Sequence, residues 1–536
     1  MLNKAPYKRE PYLSFFLPPR SHLKSNMQES NKRIAKNTMV LYFRTFITLL
    51  VGLYTSRIML EALGVDNYGI NALVGGIIGM SAIITVSMSV AISRYISYTL
   101  GKNDIKRLKL MFSTAINAQA ILALIAIIAL EIGGLWFLNT TANIPAGRMH
   151  AAHWVFQCSI ICLVLSLISA PYNSLIVSHE RMSIYAYISI FDVAMKLIIC
   201  YALLLYNGDR LILLASFQVV LALCMRLFYG WYCRRNFEEA RYSFKAFDKR
   251  LIKELTIFSG WNLMNNGTWI LSTQGINLLV NVFFGVVYNA SRAIAETVNN
   301  AVQAFVRNFT VSFTPQITKK YAAGEIDDAI LLATRGAKFT WLMTYVFIVP
   351  ICMEADTLLA LWLGTVPSEA ALFLRLALFE SLAAISSNQM FQLILADGRL
   401  KKVNIQNAIV TGMIFPTVWI AYRLGAPVWL SYIICTIFFM ALNIVFLINL
   451  REMIGLNIRL YIKRCIKPCL SVSVLSFVLP ALIAQLFEPG IIRFVIITLV
   501  SVIWTSLCCF VFGLSNGEKN FATGKLKSFY IARFSK

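Results

Sequence analysis

Residues 110–138 read LMFSTAINAQAILALIAIIALEIGGLWFL, with one charge, Glu131, in the whole run. A helix of that length rises ~43 Å, more than the ~30 Å of a bilayer's hydrocarbon. Working outward, apolar runs recur at 39–60, 68–92, 153–177, 183–205, 211–233, 254–284, 286–313, 337–353, 368–396, 403–423, 427–450, 467–487 and 491–513. They lack period-two alternation and are too long for strands. The chain has 536 residues, 58% hydrophobic and 14% charged, which leaves too little polar surface for a soluble protein. The reading is an all-α integral membrane protein of about fourteen transmembrane spans, numbered here 1 to 14 in chain order.

The net charge of +24 raises nucleic acid as a partner, and its distribution excludes it. With the N-terminus inside, the inner segments hold 31 Lys and Arg and the outer ones hold four: Arg148, Arg210, Arg423 and Arg493. That split follows the positive-inside rule and sets basic residues against an anionic leaflet. Both termini are then cytoplasmic. The eleven cysteines lie mostly in apolar runs and read as small packing residues. Four histidines make a His-ligated metal centre unexpected, and no cofactor is expected. There is no Walker A, Gly-x-Ser-x-Gly or His-Glu-x-x-His motif, and no outer loop exceeds about fifteen residues, near 354–368, so no enzyme activity is expected.

Residues 1–30 carry Pro6, Pro11, Pro18 and Pro19, and their apolar patch, Leu13 to Leu17, is too short for a signal-peptide core. They read as a disordered or mis-assigned extension, with Met27 as the expected initiator and regular structure from Asn31. The remainder repeats. Lys32-Arg33-Ile34-Ala35-Lys36 matches Lys249-Arg250-Leu251-Ile252-Lys253, Gly64-Val65 matches Gly285-Val286, and Ile96-Ser97 before Gly101 matches Ile317-Thr318 before Gly324. The anchors keep their order with a slowly growing offset. This divides the chain into an N-lobe (31–235, spans 1–6), a C-lobe (236–453, spans 7–12), spans 13 and 14 (454–514) and a basic tail (515–536). Parallel repeats of this kind are a transporter architecture.

Intramembrane charge points to the site. Arg44, Arg57, Arg94, Lys196, Arg226, Lys253, Arg292, Arg307 and Arg375 lie within or beside spans. A charge centred in a bilayer costs ~2.5–3.5 kcal/mol, so such residues face protein or water. Those near span ends, Arg57, Arg94, Arg226 and Lys253, also have the option of snorkelling. Span 8 is the most informative. Asn289, Arg292, Glu296, Asn299, Asn300, Gln303 and Arg307 step by three or four residues into one polar stripe. Arg292 and Glu296 form an i,i+4 pair. Span 7 carries Asn262, Asn266, Thr273, Asn277 and Asn281 with Trp261 and Trp269, and span 2 carries Ser81, Thr85, Ser89 and Ser93. Hydrogen bonding between helices accounts for small hydroxyls, but glue does not require two arginines. A guanidinium fork suits phosphate oxygens, and amides and Trp suit sugar hydroxyls and ring faces. The candidate site is therefore Arg44, Arg292, Glu296, Asn299, Asn300, Gln303, Arg307, Asn266 and Asn277, with Arg57 and Arg94 as weaker members.

The stretches Asn31-Lys-Arg-Ile-Ala-Lys-Asn-Thr38, Tyr54-Thr-Ser-Arg57, Leu63-Gly-Val-Asp-Asn-Tyr-Gly69 and Leu100-Gly-Lys-Asn-Asp104 resemble bacterial polysaccharide flippases. These are the O-antigen and capsule repeat-unit translocases of the multidrug/oligosaccharidyl-lipid/polysaccharide exporter superfamily, and the resemblance covers residues 31–515. It implies two six-helix lobes about a cleft lined by spans 1, 2, 7 and 8. It also implies a bacterial inner-membrane location, an undecaprenyl-diphosphate-linked oligosaccharide as substrate, alternating access, and the lipopolysaccharide or capsule pathway, with membrane lipids and the glycan polymerase and ligase as partners. A cation-coupled drug exporter of the same superfamily is the rival, kept alive by Glu296. A membrane polymerase or ligase is the more distant one.

Overall fold

Gly64 and Gly285 break the chain at matching places in its two halves. The computed structural model describes residues 20–81, 104–179, 181–243, 267–311 and 313–520, plus single positions or pairs within 88–100 and 248–252, with side chains from Phe43 onward. Helix α1 (Arg20–Met80) is two helices joined at Gly64, where φ is 74° and ψ 170°. In the second half, α6 (Ile276–Phe284) stops at Gly285, with φ 90° and ψ −178°, and α7 (Val286–Val311) starts at once. Both glycines occupy a region of backbone space essentially closed to other residues. The sequence repeat at these two glycines is therefore also a repeat of the same hairpin.

Between them, α2 (Ile105–Ala129) continues through a π-helical turn to Thr140. Then come α3 (Met149–Ser178), α4 (Met182–Leu205) and α5 (Arg210–Asn236). After α7 follow a short helix α8 (Thr314–Ala322), α9 (Ile326–Met353) and α10 (Ala355–Leu363). The next pair is α11 (Ala370–Ile385) and α12 (Asn388–Asp397), then α13 (Leu400–Gly412) and α14 (Ile414–Arg423). The set ends with α15 (Leu430–Ile454), α16 (Lys467–Ala484) and α17 (Ile491–Cys508). Among the described residues eleven helical stretches are long and apolar enough to cross a membrane. One of them, Phe43–Met80, holds span 1 and the beginning of span 2. Span 7 is described only in part, and α7, which is span 8, falls outside the count with its polar stripe. With these the expectation of about fourteen spans stands.

Two differences from the sequence reading concern the ends of elements. Helix α1 begins at Arg20, inside the segment read as an extension up to residue 30. The segment near 354–368, read as the longest outer loop, holds α10.

The packing explains several of the intramembrane charges. Arg226 lies over the Tyr172 ring at 4.3 Å. Lys196 pairs with Asp192 one turn away at 2.7 Å, and Arg375 reaches Asp356 at 2.6 Å and the Cys352 carbonyl at 2.9 Å. Each is neutralised or stacked without a ligand. Lys253 lies outside the described residues.

The lobes meet near the glycine turns. Asn143 donates its backbone N–H to Asn281 Oδ1 (2.9 Å), Asn277 Nδ2 donates to the Ala72 carbonyl (3.2 Å), and Trp362 Nε1 donates to the Leu53 carbonyl (3.0 Å). In each bond one partner is in the N-lobe and the other in the C-lobe.

Candidate functional site

A helix that is polar along one stripe must face protein or water with that stripe. Helix α7 turns it onto a cavity of about 600 Å³ between the lobes. Arg292, Glu296, Asn299, Asn300, Gln303 and Arg307 all line it, and Asn277 joins them from α6. The N-lobe wall includes Ala72, Gly75 and Gly76 of α1. The stripe read from sequence is thus brought to one place, except for Asn289, which is buried and bonded to Asn277.

Exposure rises along α7. Arg292 is 6% exposed and Asn299 7%, whereas Asn300 and Arg307 are exposed. The cavity is closed near the glycine turns and open toward the far end of α7.

The two arginines have different surroundings. Arg292 is buried with its guanidinium 4.8 Å from the centre of the Tyr432 ring. Two acids face it, Glu296 from its own helix and Glu380 from α11. Asn299 Nδ2 donates to Glu296 Oε2 at 3.4 Å, and Glu380 Oε2 is buried without a hydrogen-bond partner among the described residues. Arg292 is therefore a buried cation stacked on Tyr432, with two acids in its surroundings and no ion pair among the described residues. Arg307 sits at the mouth, exposed and with no ion pair among the described residues.

Not every expected residue is here. Arg44 does not line this cavity; its guanidinium lies 4.6 Å over the Tyr185 ring, in the seam between α1 and α4. The cause is the rotation of the first half of α1, which packs Arg44 toward α4 rather than α7. Arg57 is exposed and is not on this cavity either. Arg94 and Asn266 lie outside the described residues. Asn277 serves mainly as a joint, since its side chain bonds Ala72 and accepts from Asn289 Nδ2 at 2.7 Å.

Other lining residues were missed. Glu380 is an acid in the middle of the apolar run of span 10, and an intramembrane carboxylate is itself a signal. Ser381, which accepts from Gln303 Nε2 at 2.7 Å, and Asn388 come from the same span. Gln274 and Phe439 complete the set, and nothing in their spacing sets them apart.

No family model matches the chain. No curated protein matches it significantly either. Solved structures do. A lipid II flippase, MurJ, in an inward closed conformation superimposes with a TM-score of 0.61 at 13% identity, covering 88% of this chain and 98% of its own. An inward-facing MATE multidrug resistance transporter of the MOP superfamily gives 0.59 at 15%, over 78% and 98%. A MOP superfamily transporter from Pyrococcus furiosus gives 0.55 at 15%, over 78% and 96%. The chain shares its fold with these structures. At such identities the likeness speaks to fold alone. In this chain's version of that fold, the cavity between the lobes holds two arginines, two carboxylates and a row of amides, and that set has to be read on its own chemistry.

Proposed function

We propose that this chain is a flippase that moves an undecaprenyl-diphosphate-linked oligosaccharide from the cytoplasmic to the periplasmic leaflet of a bacterial inner membrane. The observation that carries the reading is Arg307, an exposed and unpaired cation at the mouth of an amide-lined cavity between two lobes. A guanidinium there attracts a diphosphate and repels organic cations. The positive-inside split orients the mouth toward the cytoplasm, where the substrate is made. The headgroup enters at Arg307, passes Gln303, Asn300 and Asn299, and reaches Arg292 at the closed end. The lobes then part at the glycine turns. Carrying two negative charges outward across an inside-negative potential releases ~4–5 kcal/mol per 100 mV, so export needs no ATP.

Complementation of glycan surface display in a flippase-deficient host tests the reading, with membrane levels matched. Arg307→Gln abolishes display and Arg307→Lys retains part of it. Normal display by the Gln variant rejects the reading. The second reading, a cation-coupled exporter, is favoured by Glu296 and Glu380 in the same cavity. It requires Glu380→Gln to lose efflux of an organic cation while Arg307→Gln keeps it.

A further inference from the structure

Trp269 stands apart from the charged residues of the cavity. It is 45% exposed, while Phe439, packed beside it with ring centroids 5.3 Å apart and planes at 35°, is 3% exposed. Both rings line the cavity. An indole bared in a polar cavity is costly unless something covers its face. The backbone there is specialised: a π-helical turn, Leu271–Gly275, follows Trp269, whose carbonyl accepts from Ser272 Oγ (2.8 Å) and Thr273 Oγ1 (3.2 Å). Such turns are rare and gather at functional sites.

The N-lobe contribution to the cavity is almost without side chains. Gly75 is exposed, and a methyl group added to it would meet nothing within 4 Å. Around the cavity lie Gln274, Asn300 and Asn388, none with a hydrogen bond to a described residue. Amides that both donate and accept match hydroxyls that do the same.

The level of the tryptophan matters as much as its exposure. Tyr432, which stacks on Arg292, and Phe439 lie on α15 seven residues apart, which is ~10 Å at 1.5 Å per residue. On α7 the same interval from Arg292 reaches Asn299, and Arg307 is a further ~12 Å along. The Trp269–Phe439 pair thus sits between the two arginines, within reach of whatever is bonded to a diphosphate held at either.

We infer that Trp269, braced by Phe439 and sharing the cavity with Gly75 of the N-lobe wall, is a stacking platform for a pyranose ring of the substrate, the one joined directly to the diphosphate. A sugar's C–H face is weakly positive and an indole face weakly negative, so the two attract when water is excluded. This rests on the flippase reading, which concerns the diphosphate. The platform adds recognition of the first sugar, and it makes a glycan-bearing lipid distinguishable from the bare carrier.

Binding to the purified full chain in detergent tests it. The probes are a prenyl diphosphate alone and the same lipid carrying one glucose, galactose or N-acetylglucosamine. At least one hexose form binds tighter than the bare lipid by about three- to tenfold. Trp269→Ala erases that increment and leaves bare-lipid affinity unchanged, and Trp269→Phe retains part of it. Gly75→Leu narrows the cavity from the N-lobe wall and erases the increment with the indole intact. An increment that survives both Trp269→Ala and Gly75→Leu overturns the platform, as does the absence of any increment while the bare lipid binds. Failure of the flippase reading looks different: the bare prenyl diphosphate does not bind, or binds equally well to Arg307→Gln.

Discussion

Single residues divide into those that hold the protein together and those left over for a ligand. Asp209 belongs to the first group. It caps α5 by accepting from the Leu211 and Ile212 amides at 3.0 and 3.4 Å, and takes a bidentate fork from Arg148 at 2.8 and 3.0 Å. Burial alone raises its carboxyl, but the Arg148 hydrogen bonds and the two amides outweigh that and hold it below the ordinary range. A carboxyl depressed in the folded state adds stability above its unfolded value near 4, lost as pH falls through the folded value. Asp209→Asn should therefore cost about 1 kcal/mol at pH 7, and the gap from wild type should close below about pH 4. Thermal melts across pH check both. Arg292 and Arg307 show how far residue type alone carries the argument. Both were legible as cavity cations because their helical spacing aligns them with five polar neighbours. That one is buried against Tyr432 and the other exposed was not legible, since Tyr432 and Glu380, which surround Arg292, are far away in sequence. Arg44 failed for the same reason: the ring it stacks on belongs to Tyr185, on another helix.

At the level of elements, the two glycine turns carry the most structure per residue. Gly64 and Gly285 hold φ of 74° and 90° with extended ψ, where any side chain is strained. The repeat made this legible, because Gly-Val recurs in both halves, while nothing in either half alone marks its glycine as a break. Gly64→Ala and Gly285→Ala should each destabilise the fold by about 1–3 kcal/mol, and the double variant additively if the turns strain independently. A lowered melting temperature in both, against an unchanged one for Gly147→Ala, where φ is not positive and an added methyl meets nothing within 4 Å, would support this. Stability unaffected at Gly64 and Gly285 would count against the strained hairpins. Periodicity located α7 well because its stripe is polar. It could not locate Trp269 or Phe439, because an aromatic ring in an apolar span looks the same whether it faces lipid, core or cavity.

The whole molecule has two lobes joined at one end, and that asymmetry bears on how it would work. Fourteen spans and a two-lobe division follow from hydrophobic runs and repeat anchors, which are local signals. The state of the lobes is not local, since it depends on a few bonds between distant residues. Asn281 is the clearest of these. It is fully buried, accepts the Asn143 N–H at 2.9 Å and donates to the Asn143 carbonyl at 3.4 Å. Alternating access requires this contact to exist in one state and break in the other. Asn281→Ala leaves the Asn143 backbone unpaired in the joined state only, at a cost of about 1–3 kcal/mol. That shifts the balance toward the parted state by about 5- to 150-fold. A cysteine placed at Ala72, on the cavity wall in an otherwise cysteine-free chain, reads the shift through a membrane-impermeant maleimide added from the periplasmic side. Labelling should be slow with Asn281 present and at least about fivefold faster with Asn281→Ala. Asn281→Asp keeps the acceptor for the Asn143 N–H and should fall between them. Equal rates in all three would mean that the Asn143–Asn281 contact fastens a loop and does not hold the lobes.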